Sequence, residues 1–206
     1  MMRMIFYVLI MHIFFSCGKK EFPKYEDENL YLKHSEAEGS FKVRFSFLNS
    51  KKYSLSSSLW IKGNQFFVSV FLRNAHPQLG FRQFIHEGER CPTEEDDLNE
   101  DNKIDYFEAI LASGKILVPL DGNLEHQKKG YDRFPLTNKK GIYFYSRSGS
   151  VVKLINNLHS TQNSLEKDFG GLRKNQRLDL STRVLMIFGD QTDPLLPIAC
   201  GNIQRD

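Results

Sequence analysis

An all-β sandwich or barrel is the fold class this sequence predicts, on three observations. Short runs rich in β-branched and aromatic residues recur along the chain, some alternating apolar and polar with period two. Gly, Asn and Asp punctuate these runs at turn positions, while stretches with helical spacing are scarce. With 206 residues, 40% of them hydrophobic, the chain is long enough for one domain with a core of ordinary size.

The elements follow in chain order. "MMRMIFYVLIMHIFFSC" begins with Arg3 and an apolar run from Ile5 to Phe15. That run is too short to span a bilayer but has the length of a signal-peptide core. It ends at Ser16-Cys17, and a small residue before a cysteine at that point resembles the lipobox of bacterial lipoproteins. The resemblance implies a signal peptide over residues 1–16, removed to leave Cys17 lipidated. An ordinary secretory signal or an uncleaved short anchor is the plainer reading. Residues 17–39 are polar with little periodicity, as expected of a tether, and residues 40–206 form the predicted domain.

"FKVRFSF" places Phe41, Val43, Phe45 and Phe47 on one side of a half-buried strand. "SLWIKGNQFFVSVFL" reads as two strands joined at Gly63-Asn64. "KILVPL" (115–120), "GIYFYSR" (141–147) and "RVLMIFG" (183–189) are further strands, separated by turns at Asp121-Gly122, Asn138 and Gly141. Val151, Val152, Leu154, Ile155 and Leu158 fit helical spacing and predict a short helix or helical loop. No internal repeat is visible.

"DDLNEDNKIDYFE" (96–108) packs six acidic residues into thirteen positions of a chain that is slightly basic overall. Its spacing matches a calcium loop over residues 97–108. Counting from Asp97, Asn99 is third, Asp101 fifth, Asp105 ninth and Glu108 twelfth. Lys103, at the seventh position, would contribute its carbonyl, and Ile104, at the eighth, would pin the loop to its surroundings. Asn102 stands sixth, where the motif has Gly; Asn tolerates the left-handed turn needed there. The bland alternative is a solvated acidic loop. "AILASG" after it is barely two turns, so the loop is expected to be solitary, rigidifying a connection rather than opening a groove.

Three cysteines are present: Cys17, Cys91 and Cys200. An odd number in an exported protein needs explaining. If Cys17 takes lipid, Cys91 and Cys200 are left, either as one disulfide or as two thiols.

Three blocks carry a family resemblance: "GFRQFIHEGERC" (80–91), "RVLMIFG" (183–189) and "LPIACGNI" (196–203). Together they resemble the copper/zinc superoxide dismutase-like Greek-key β-sandwich and its CHRD-like relatives. The passage from Cys91-Pro92-Thr93 to Pro119-Leu120-Asp121-Gly122 is similar to a subgroup of exported proteins with a calcium-type loop between those markers. The resemblance implies the Greek-key sandwich and a bridge from Cys200, in Ala199-Cys200-Gly201, to Cys91. It also locates the metal positions of the superfamily. His86-Glu87 matches part of the first ligand motif, but Phe84 stands where its partner His belongs, and Phe188 occupies the ligand position of the later strand. One imidazole cannot hold a redox copper, so the resemblance implies the fold and argues against dismutase chemistry.

His86 alone reads as a hydrogen-bonded structural residue, although His76 with His86 and Glu87 would make a weak metal site. His126 and His159 are isolated. No Ser-His-Asp arrangement or phosphate-cradling Gly loop is legible, and a Lys plus Arg excess of three gives no argument for nucleic acid. Cys91 and Cys200 lack a CxxC, so a redox-active thiol protein is a weak reading. The sequence therefore predicts a non-catalytic, calcium-binding lipoprotein of the bacterial cell envelope. It would be anchored to the membrane through lipid, on the outer membrane or the periplasmic face, with an unidentified envelope or extracellular partner. A divergent dismutase-like copper or zinc protein is the alternative.

Overall fold

The computed structural model describes residues 38–49, 53–125, 134–161, 169–173 and 176–206. The signal peptide, most of the tether, Cys17 and His126 lie outside the described residues. Eight strands are present among them: β1 (Gly39–Phe47), β2 (Ser54–Lys62), β3 (Gln65–Arg73), β4 (Arg82–His86), β5 (Ile116–Pro119), β6 (Tyr143–Ser150), β7 (Val184–Phe188) and β8 (Pro197–Arg205). They pair antiparallel in the order β5-β4-β7-β8-β1-β2-β3-β6. Neighbours that are distant in sequence, such as β8 beside β1 and β6 beside β3, are the mark of Greek-key crossovers.

The sheet curls onto itself. Leu117 and Val118 of β5, at one end of the strand order, share a core with Tyr143 and Tyr145 of β6, at the other. The half β6-β3-β2-β1 thus faces the half β5-β4-β7-β8, giving the two layers of a sandwich. Among the described residues no ladder joins β5 to β6. Helix α2 (Val151–Thr161) is the helix expected from the 151–158 spacing, and it fills that side. Val151, Leu154, Ile155 and Leu158 all enter the common core, and Leu172 N–H donates to the Leu158 carbonyl (3.0 Å). Phe169 forms a parallel bridge with Ile116, so the chain beyond the helix covers the edge of β5.

The β2–β3 hairpin turns at Gly63-Asn64, with Lys62 paired to Gln65 and Gly63 at φ +53°. A second apolar cluster lies on the outer side of the β4–β7–β8 half. Phe84, Val184, Met186, Phe188 and Cys200 point into it, and Leu48, Ile104 and Ala109 cover them. Helix α1 (Tyr106–Ser113) contributes this cover with the acidic loop. Cys91 and Cys200 form the disulfide that the resemblance implied, with Cα atoms 5.6 Å apart across 109 positions of sequence.

Candidate functional site

The acidic loop closes on its own backbone. Asp97 accepts from the Asp101 N–H through Oδ1 (3.2 Å) and from the Asn102 N–H through Oδ2 (2.7 Å). Asn99 Oδ1 also accepts from the Asp101 N–H (2.9 Å), and Asp101 Oδ1 accepts from the Lys103 N–H (2.9 Å). Asn102 takes the left-handed conformation that the sixth position requires, at φ +64°, and Glu100 does so at +61°.

The loop then becomes a helix. Asp105 is the N-cap of α1, accepting from the Glu108 N–H (2.9 Å), while Glu108 Oε2 accepts from the Asp105 N–H (2.8 Å). This is a capping box, with Asp in the Ser/Thr place, and its Asp-x-x-Glu signal was readable in the sequence. Glu108 Oε1 reaches back to the N–H groups of Leu98 (2.8 Å) and Asn99 (3.2 Å). The hydrogen bond from the Asp105 N–H, aided by those from Leu98 and Asn99, holds the Glu108 carboxyl below its ordinary pKa against the opposing effect of desolvation.

Two attachments fix the loop to the sandwich. The Asn49 side chain donates to the Ile104 carbonyl (2.8 Å) and accepts from the Ile104 N–H (2.9 Å), taking both backbone groups of the eighth position. Its Nδ2 also donates to the Pro197 carbonyl (2.8 Å). At the loop's start, Arg90 forms a bidentate pair with Asp96 at 2.7 Å for each bond. The Arg90 hydrogen bond holds the Asp96 carboxyl down at about 2. Sequence reasoning missed Asn49 because it lies 55 residues from its partner and no local pattern marks it.

Asp97, Asn99, Asp101, Asp105, Glu108 and the Lys103 carbonyl offer only oxygen donors, the chemistry a hard cation takes. Among the described residues no three His, Cys, Asp or Glu side chains are gathered as a metal-holding group. In the loop, these side chains are turned onto backbone N–H groups around the ring. A groove of about 850 Å³ runs between the end of β1 and the loop, lined in part by Phe47, Asn49, Asp97 and Lys103.

The positions that the resemblance assigns to metal ligands do lie together, but they are filled by rings. Phe84 and Phe188 have ring centroids 5.6 Å apart, and His86 lies 6.3 Å from Phe84 and 6.0 Å from Phe188. All three side chains are buried. His86 Nδ1 lies 2.9 Å from the Gly114 carbonyl, so Nδ1 carries the proton. Its Nε2 is buried with no hydrogen-bond partner among the described residues. Burial pushes the imidazole down to about 4, although the Gly114 bond favours the charged form.

His76 does not join it. It is exposed, in the turn after β3, and its carbonyl accepts from Thr137 Oγ1 (2.6 Å). That turn precedes β4, whereas His86 ends it. Glu87 is engaged elsewhere, accepting from the Gly171 N–H (3.0 Å) through Oε1 and from Arg183 through its carbonyl. The donor set around His86 therefore does not fit copper or zinc.

No family model matches the chain, and no curated protein does. Among solved structures, the chain is similar to the Cu/Zn superoxide dismutase from Brucella abortus (19% identity, TM-score 0.44), covering 80% of this chain and 99% of that one. It is also similar to a double mutant of an SOD-like protein from Bacillus subtilis (12% identity, TM-score 0.42), covering 82% and 99%.

Proposed function

We propose that the protein is a non-catalytic, calcium-binding lipoprotein of the cell envelope, acting as a binding or interaction module. The observation carrying this reading is the loop 97–108, whose five oxygen side chains keep the calcium-loop spacing. Its sixth position has the left-handed backbone such a loop requires. Carboxylate oxygens that accept one N–H retain a further lone-pair direction, so the present hydrogen bonds are compatible with an ion inside the ring. The non-catalytic part rests on Phe84 and Phe188, which leave His86 as the one imidazole of its cluster among the described residues. Anchoring through Cys17 rests on the sequence alone.

Calorimetry and thermal melts in calcium and in chelator test the ion. Calcium is expected to raise the melting temperature, with stabilisation of about 2.7 kcal/mol at a hundredfold excess over Kd. Asp97→Ala and Glu108→Gln remove that calcium-dependent increment, whereas His86→Ala keeps it. A melting temperature indifferent to chelation, with no heat of binding up to several millimolar calcium, sinks the site and leaves a self-capped acidic loop. Stoichiometric copper or zinc in the purified protein would instead favour the dismutase-like alternative. For the anchor, Cys17→Ser is expected to leave the precursor unprocessed, and an unmodified Cys17 in membrane extracts overturns it.

A further inference from the structure

The outer face of the β1-β2-β3-β6 half carries side chains that its fold does not use. Cross-strand register sets them in rows. One row holds Trp60 opposite Phe67, with ring centroids 5.2 Å apart, and Ser40 and Ser148 at its ends. The next holds Lys42, Ser58, Ser69 and Ser146, and the Ser58 and Ser69 hydroxyls meet at 2.8 Å. The third holds Ser56, Phe71 and Phe144, with the two rings 6.5 Å apart and Phe144 62% exposed. Rows on one face lie two residues apart, about 7 Å along the strand. Two aromatic ledges thus flank a trough of hydroxyls.

Charge on this face has one sign. Arg44, Lys62 and Arg73 are exposed, and the Arg73 guanidinium lies 4.8 Å from the Phe71 ring centroid. Among the described residues, the outward positions of β2, β3 and β6 carry no carboxylate. Of the two acids at the margin, Asp206 pairs with Lys42 (2.9 Å), and Glu38 accepts from the Gly63 N–H. Beside Trp60 lies a recess of about 430 Å³, bounded by Ser40, Lys62 and, at its margin, Glu38.

We infer that this face binds an anionic polysaccharide. Pyranose rings alternate an apolar C–H face with hydroxyl edges, which matches ring ledges on either side of a hydroxyl row. Guanidinium groups without opposing carboxylates select sugars that bear carboxylates or sulfates. Other occupants fit less well. Serine is depleted at protein interfaces, and this face is dense with it. A second copy would set like charges against each other. Anionic membranes recruit clusters of four or more cations, whereas the pairing of Lys42 with Asp206 leaves three here among the described residues, and single-stranded nucleic acid asks for a basic groove along its backbone. The inference rests on the reading of the domain as a binding module, but not on its calcium or its anchor.

Trp60 is the single tryptophan of the chain, so its emission reports on this face alone. The full-length protein is titrated with oligogalacturonate, followed by tryptophan fluorescence and calorimetry, with and without chelator. A saturable change in Trp60 emission is expected, weakening as salt rises and unaffected by chelation. Phe71→Ala with Phe144→Ala is expected to weaken binding at least tenfold, Arg44→Gln with Arg73→Gln several-fold, and Phe107→Ala on α1 not at all. Circular dichroism confirms that each variant is folded. No response at millimolar oligogalacturonate overturns the inference even where calcium binding is intact. So does equal binding of neutral dextran, or tighter binding of a thymidine oligonucleotide or of phosphatidylglycerol vesicles through the same residues.

Discussion

The two outer faces of the sandwich come from the same kind of strand and have opposite fates. On the β5-β4-β7-β8 half, β5 and β7 are buried on both sides, because the loop, α1 and the disulfide roof the outer face. On the β1-β2-β3-β6 half, buried and open positions alternate, and no described element lies over the outer side. The sequences differ accordingly: "ILVP" and "VLMIF" are continuous apolar runs, whereas "FKVRF" alternates. A roofed face invests its side chains in stability, and an open one leaves them free to recognise something.

Removing the roof's covalent tie is the largest expected break in this asymmetry. Closing a loop of this length is worth about 4–5 kcal/mol in the chain-entropy account. Cys91→Ala with Cys200→Ala should therefore lower the melting temperature by roughly 10 °C or more. Phe188→Ala hollows out the roofed cluster and is expected to cost about 4 kcal/mol in urea unfolding. An effect below about 1 kcal/mol from either change would mean that the roof is not the stabilising face.

The buried imidazole makes the roofed face acid-sensitive. The folded pKa of His86, about 4, lies below its ordinary value of 6.5. Stability from the neutral ring is thus fully present above 6.5 and is lost as pH falls from 6.5 toward 4. The total loss is on the order of 3 kcal/mol. His86→Leu is expected to flatten that part of the stability–pH curve whatever it does to stability at neutral pH. An unchanged slope would place the acid sensitivity elsewhere.

Two smaller effects sharpen the contrast. Asn49→Ala strips Ile104 of both backbone partners and is expected to cost about 2 kcal/mol and to speed hydrogen exchange at Ile104. Phe144→Ala, on the open face, is expected to shift stability by no more than about 0.5 kcal/mol. A loss comparable to that from Phe188→Ala would show that the open face is also structural.

Much of this was legible in the sequence for physical reasons. Period-two alternation announced β1, the Gly63-Asn64 turn between two strand-like runs announced β2 and β3, and short runs rich in β-branched or aromatic residues announced β5, β6 and β7. Helical spacing at Val151 to Leu158 announced α2, because that face packs on the core. The left-handed backbone at Asn102 followed from the loop spacing. What stayed hidden depends on distance in sequence. The Asn49 clamp and the Glu87 bond to Gly171 join residues with no shared local pattern. The aromatic rows of the open face exist only once register brings Trp60 opposite Phe67 and Phe71 opposite Phe144. Each of these residues alone reads as an ordinary strand aromatic.

The Asn49 amide also bears on how such a loop can be acquired. Ile104 carries one donor and one acceptor on its backbone, and a planar side-chain amide offers their complement from a single residue. The host sandwich therefore meets the loop's backbone with one position at the end of its first strand and its apolar side chains with the outer cluster, and no second loop pairs with the first among the described residues. Grafting the segment between Cys91 and β5 onto a related sandwich therefore requires that asparagine together with the apolar positions and the Cys200 partner that the segment covers. The loop is in this sense a part whose backbone socket is one residue and whose apolar seat is the cluster around Phe84, Met186 and Phe188.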